Sequence, residues 1–206
     1  MELENQLLAR GERTAIRRFT RTDVEAWVSW PRHSDPLLQD YNSPYLKPRE
    51  RDLWYAERAA RPDHAMYAIE DADTNLIGRL FLRQIDTVRR SAILGVDLRS
   101  DRLDEGLGTD ALRAFTRYFF EDLRQETLKL DVAAYNDRAR WVYEKLGWVR
   151  VGEHWNTYPS IFMPGVFEDP AMAPIRPFFR AQPGSISVLH YDMDLTQQNW
   201  LEVNGR

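Results

Sequence analysis

Between Ala92 and Val151 short apolar runs alternate with helical stripes, and this alternation constrains the fold more than any other feature of the chain. Ala92 to Leu98 reads as a strand, Gly106 opens a helix, and Thr127 to Val132 is a second strand. Asn136 then caps a helix that Gly147 stops, and Trp148 to Val151 is a third strand. In the first helix Leu107, Ala111, Leu112, Phe115, Phe119 and Leu123 form an amphipathic stripe. The connection before Thr127 is long enough for a parallel crossover.

The chain before this run reads as antiparallel. Met66 to Glu70 and Leu76 to Arg83 flank a turn-rich Asp71-Ala72-Asp73-Thr74-Asn75, as in a hairpin. Thr14 to Phe19 is a short strand after a polar start, and Thr22-Asp23-Val24-Glu25 reads as a capping box for a helix ending at Pro31. Residues 31 to 48, with Pro31, Pro36, Pro44 and Pro48, read as loop, and Arg49 to Arg61 as helix. Ser187 to Leu195 alternates Leu189, Tyr191, Met193 and Leu195 with His190, Asp192 and Asp194, the pattern of a strand with one buried face. The fold class is α/β (α+β): one domain over residues 1–206, with a mixed, mostly antiparallel central sheet flanked by helices.

Residues 156–183 interrupt this scheme. Prolines at 159, 164, 170, 174, 177 and 183 alternate with Tyr158, Phe162, Phe167, Phe178 and Phe179, so the segment is an insertion that is neither helix nor ordinary linker. Its aromatics are expected to wall an acceptor pocket or to meet a second subunit in a homodimer.

Composition narrows the function. The 206 residues are 43% apolar, enough for a core, and a net charge of −4 with pI near 5.6 argues against nucleic-acid binding. With no cysteine and four scattered histidines, no metal site is expected. No stretch approaches the roughly 18 apolar residues of a membrane span, and the N-terminus lacks a basic region followed by an apolar run. The expectation is a cytoplasmic protein without membrane contact.

Two motifs carry chemistry. Gly106-Leu107-Gly108-Thr109 is a glycine turn opening a helix, where free backbone N–H groups and the helix dipole would hold a pyrophosphate. Asn136 and Tyr143 are seven residues apart, two helical turns, so that Asn136, Ala139 or Arg140, and Tyr143 share one face. Taken singly, these features are a flexible turn, an N-cap and a core aromatic. In this order, followed by Glu144-Lys145-Leu146-Gly147-Trp148, the pair resembles the GNAT superfamily of acetyl-CoA-dependent N-acetyltransferases.

The resemblance implies strands splayed at an acyl-CoA site, with acetyl-CoA as co-substrate. It places the pyrophosphate on Leu103-Asp104-Glu105-Gly106-Leu107-Gly108 and Thr109; both glycines match the family loop, whereas Leu103 stands where the family has Gln or Arg. It assigns the pantetheine arm to main-chain groups around Val96 and Leu98, and a contact with the CoA arm to Asn136. Tyr143 matches the acid that protonates the departing thiolate. Ile93 occupies the position of the family's acidic residue, which leaves Asp97 as the candidate proton acceptor. Arg99, Arg102, Arg138 and Arg140 are candidates for neutralising phosphates. His154 and His190 receive no role.

The implied reaction is transfer of an acetyl group to a primary amine by direct attack in a ternary complex. Acceptors are a small-molecule or peptide amine, the opening Arg13 to Phe19 resembling the branch that acetylates ribosomal proteins. A non-catalytic acyl-CoA-binding module is the alternative, and a nucleotide-binding domain a third reading that lacks a P-loop lysine.

Overall fold

A computed structural model describes residues 6–159 and 165–204. The chain forms two compact units, one of Met1–Arg32 with Ser43–Leu128, the other of His33–Asn42 with Lys129–Arg206.

The first unit holds β1 (Leu7–Arg10), β2 (Ala15–Arg18), α1 (Arg21–Val28), α2 (Pro48–Ala59), β3 (Ala65–Glu70), β4 (Leu76–Asp86), β5 (Ser91–Leu98) and α3 (Leu107–Arg117). Its strands follow one another in sequence order, each antiparallel to the next. The Asp71–Asn75 turn joins β3 to β4 as a hairpin, as its residues predict. β1 escapes a reading by pattern because it is four residues long and half exposed.

Helix α1 begins two residues earlier than its sequence suggests. Thr20, not Thr22, is the N-cap, because the Asp23 carboxylate accepts the Thr20 amide at 2.7 Å and also receives Arg17 of β2 at 2.6 and 2.8 Å. Phe19, Val24, Trp27, Ala68 and Leu76 then form a core against which Trp54 and Tyr55 of α2 pack. Helix α3 buries Leu107, Ala111, Leu112, Ala114 and Phe115 and continues into a π turn, Tyr118–Asp122, that buries Phe119 and Phe120.

Strand β6 (Thr127–Ala133) runs across the division between the units. The second unit contains α4 (Asp137–Lys145), β7 (Val149–Pro159), β8 (Phe179–Gln182), β9 (Ser185–Thr196) and α5 (Gln197–Asn204), with a 3₁₀ turn at Pro36–Tyr41. Strand β7 is much longer than Trp148 to Val151: it pairs with β9 from Val149↔Asp194 to Pro159↔Ser185. Polar His154, Asn156 and Thr157 hide that continuation in the sequence, and the cross-strand ladder supplies it.

Part of the proline-rich insertion is therefore strand. Residues 156–159 belong to β7, and β8 pairs with β9 from Phe179↔Val188 to Gln182↔Ser185. Phe179, Val166, Ala133, Ile186 and Val188 form a buried cluster, with Tyr135, Tyr158 and Phe178 packed on it. Tyr135 and Phe179 stack at 5.2 Å. Phe167 is 39% exposed, whereas Phe162 and Pro164 lie outside the described residues.

Candidate active site

In the first unit the glycine turn has the backbone its sequence requires. Gly106 is the N-cap of α3 with φ +78°, a left-handed conformation open to glycine. The first-turn amides that follow, of Leu107, Gly108 and Thr109, have no acceptor inside the helix by its geometry. Gly108 answers a packing demand as well, since a Cβ there would stand 2.7 Å from Leu98 Cδ1. The turn is anchored by Asp110, whose carboxylate accepts the amides of Glu12 and Arg13 at 2.9 and 3.0 Å and the Thr14 hydroxyl at 2.7 Å. Burial opposes ionisation of Asp110, but these donors outweigh it and hold the carboxyl below its usual range.

Leu103 and Asp104 lead into the turn, Asp104 itself at φ +63°. The Glu105 carboxylate is paired with Arg102 at 3.1 Å, and Arg102 also reaches Asp71 at 2.8 Å. Burial works to raise Asp71, but the Arg102 bond and the Asn75 and Asp73 amides bring its carboxyl down to about 2. Arg99 pairs with Asp101 at 2.8 Å. These two arginines are thus committed to carboxylates of the protein, and a phosphate would have to compete for them.

On β5, Val96 lies opposite Leu80, Asp97 opposite Arg79, and Leu98 opposite Gly78. Leu98 packs toward Gly108 and Ile69, whereas Asp97 faces the α1–α2 side, as strand alternation requires. Its carboxylate meets Arg79 Nε at 2.6 Å, and the guanidinium sits over Trp27 at 4.0 Å and Phe81 at 5.0 Å. Arg79 Nε and Nη2 both meet Asp97 Oδ2, which fixes this carboxylate toward the α1–α2 side.

In the second unit Asn136 caps α4, its side chain accepting the Ala139 amide at 3.1 Å. Arg140 bonds the Ala134 carbonyl at 2.7 Å and Asp137 at 3.0 Å. Tyr143 is 8% exposed, with its ring 5.7 Å from that of Trp148. Gly147 ends the helix at φ +100°, where a Cβ would press on the Asn199 carbonyl of α5 at 3.3 Å.

The same unit assembles a group to which sequence reasoning gave no role. One atom from each of Asp131, His154 and His190 lies within 4.8 Å of the others. His154 and His190 are cross-strand partners, a proximity that requires the β7–β9 register and cannot be read from residues 36 positions apart without it.

A mostly antiparallel open sheet flanked by helices is the fold of GNAT proteins. A model of the acetyltransferase (GNAT) domain family matches residues 13–149. The chain belongs to this family and is an N-acetyltransferase with acetyl-CoA as co-substrate. It is 26% identical to the spermidine N(1)-acetyltransferase of Vibrio cholerae over 129 residues, 63% of this chain and 73% of that protein. Over 81 residues, 39% of this chain and 44% of the other, it is 30% identical to a Bacillus subtilis protein named as a ribosomal N-acetyltransferase, YdaF. The crystal structure of the Vibrio cholerae spermidine N-acetyltransferase with CoA and spermine shares its fold, with TM-score 0.68 and 21% identity over 91% of this chain and 98% of that one. No helix among the described residues is long and apolar enough to cross a membrane.

Proposed function

We propose that this acetyltransferase transfers the acetyl group to a primary amine of a small cationic molecule of the polyamine class, by direct attack in a ternary complex. The observation that carries the reading is the left-handed Gly106 turn, whose first-turn amides have no acceptor inside the helix, joined in one chain with the Asn136-capped helix that bears Tyr143. Likeness to a spermidine acetyltransferase favours a small polyamine over a peptide N-terminus, and the acidic balance of the chain favours a cationic acceptor.

The whole chain acts as one N-acetyltransferase domain in the cytoplasm, with residues 156–183 as its insertion. The amides of Leu107, Gly108 and Thr109 receive the pyrophosphate, and main-chain groups at Val96 and Leu98 receive the pantetheine arm. Leu103 to Gly106 shape the turn, and Asn136 and Arg140 complete the cofactor contacts. Tyr143 donates its phenolic proton to the thiolate, which needs a proton once the C–S bond breaks. Asp97, whose Oδ2 pairs with Arg79, is the proton acceptor in this reading.

An acceptor panel tests the reading. Thiol release from acetyl-CoA is expected with spermidine or spermine at a kcat/KM at least tenfold above that for a peptide α-amine. A reversed preference would move the acceptor to protein N-termini, and binding of acetyl-CoA without turnover on any amine would leave a non-catalytic binding module. Sedimentation of the same preparation decides whether the enzyme is a homodimer.

A further inference from the structure

Within the second unit, Asp131 of β6, His154 of β7 and His190 of β9 bring three metal-ligating side chains together. One atom from each lies within 4.8 Å of the other two, and His190 Nδ1 stands 3.0 Å from Asp131 Oδ2. Strand β9 lies between β6 and β7 in the sheet, and the two imidazoles are direct cross-strand partners with ring centroids 5.6 Å apart. The spacing is thus set by strand pairing rather than by a loop. The His190 side chain is 12% exposed, Asp131 28% and His154 39%, so the group is shielded yet reachable by an ion from solvent.

A second ring of oxygens backs these ligands. His190 Nε2 lies 3.4 Å from the Tyr158 hydroxyl, and His154 Nδ1 lies 2.9 Å from Asp192 Oδ1. A metal-bound histidine is held in this manner, one nitrogen on the ion and the N–H of the other on a carboxylate or hydroxyl. Asp40 of the 3₁₀ turn lies within electrostatic reach of His190, and together with Asp131 and Asp192 it surrounds two imidazoles with negative charge, which favours a cation. Two imidazole nitrogens and one carboxylate oxygen are a donor set for zinc and its neighbours, whereas magnesium and calcium take shells of oxygen.

We propose that Asp131, His154 and His190 form a binding site for one divalent transition-metal ion of the zinc class, which ties β6 and β7 to β9. His190 binds through Nδ1 and Asp131 through Oδ2, and the proton these two atoms share is released to solvent as the ion takes its place. The Nε2–H of His190 then donates to the Tyr158 hydroxyl. His154 gives its Nδ1–H to Asp192 and binds through Nε2, and water fills the fourth position. A tetrahedral ion about 2.0–2.1 Å from each ligand sets the ligand atoms about 3.4 Å apart. The His190–Asp131 pair is near that spacing, and the more exposed His154 closes the remainder by turning its side chain. The site lies wholly in the second unit and stands apart from the choice of acceptor amine.

The test is zinc binding by the full chain after treatment with EDTA and removal of the chelator, followed by calorimetry and by thermal unfolding in zinc chloride or magnesium chloride. Wild type should take up one zinc ion per chain and gain Tm as zinc passes its Kd, while magnesium leaves Tm in place. His190→Gln and His154→Gln should each weaken zinc binding by at least about tenfold, and Tyr158→Phe should weaken it less than either. Replacing the two histidines outside the group, His33→Gln with His64→Gln, should leave it unchanged. Cobalt(II) in place of zinc should give wild type the visible absorption of a four-coordinate ion with nitrogen ligands, and the His190 and His154 variants should lose it. A metal-free Tm close to that of wild type shows that a variant is folded, and His154→Gln, at the more exposed position, carries the test should His190→Gln fail to fold. Absence of zinc uptake by wild type, uptake of equal strength in the His190 and His154 variants, or an equal gain of Tm in magnesium would each overturn the proposal.

Discussion

Tyr143 and Asp110 divide the residue scale between chemistry and stability. Tyr143→Phe keeps the ring that packs on Trp148 and removes only the hydroxyl, so kcat should fall about 10- to 1000-fold while acetyl-CoA affinity is unchanged. Unaltered turnover would make Tyr143 a packing residue. Asp110 was legible only as a helix residue, since its three partners lie nearly a hundred positions away. Its folded-state carboxyl is held below the unfolded value of about 3.9, so its stabilisation is present above that pH and is lost as pH falls through the folded value. Asp110→Asn should cost about 2–3 kcal/mol near neutrality and flatten the fall of Tm between about pH 5 and 3. The variant's Tm tracking that of wild type at every pH would remove Asp110 from the account. Asp97 shows the limit of reading residues singly: its place on β5 and its facing were legible, but its pairing with Arg79 needed the β4–β5 register.

Helices and strands were legible where local signals were strong, and mistaken where tertiary contacts override them. The amphipathic stripe fixed α3, Asn136 and Gly147 bounded α4, and the Asp71–Asn75 turn marked its hairpin. The start of α1 was misplaced because Arg17 recruits Asp23, a partner on another element. The outer half of β7 and the short β1 depend on ladder bonds rather than on apolar alternation. The turn before α3 raises a question that only this scale answers: whether Gly108 is glycine for phosphate or for Leu98. Gly108→Ala should destabilise by about 1–3 kcal/mol, because its Cβ meets Leu98. In a Leu98→Val background, which removes the clashing Cδ1, that penalty should largely vanish while acetyl-CoA binding stays weakened. Recovery of both together would assign Gly108 to packing alone.

At the scale of the whole chain, the family was legible because its two motifs are local, whereas the grouping of Asp131, His154 and His190 was not, because its members are far apart in the sequence. The insertion illustrates the difference. Its composition announced buried aromatics without saying where; Phe179, with Tyr158 and Phe178, packs with Ile186 and Val188 of β9 and with Tyr135, whereas Phe167 does not. Phe179→Ala should therefore cost about 3–5 kcal/mol in urea unfolding, while Phe167→Ala, at an exposed site, should stay within about 0.5 kcal/mol. Equal effects would mean that the segment contributes no core. The central claim, direct acetyl transfer to a primary amine, is tested most directly by mixing enzyme, spermidine and acetyl-CoA carrying an isotopically labelled acetyl group, then following label and free thiol together. The account predicts one labelled acetyl on an amine nitrogen for each thiol released, with no label retained on the protein. Thiol release without labelled amine, or label held covalently on the enzyme, would contradict it.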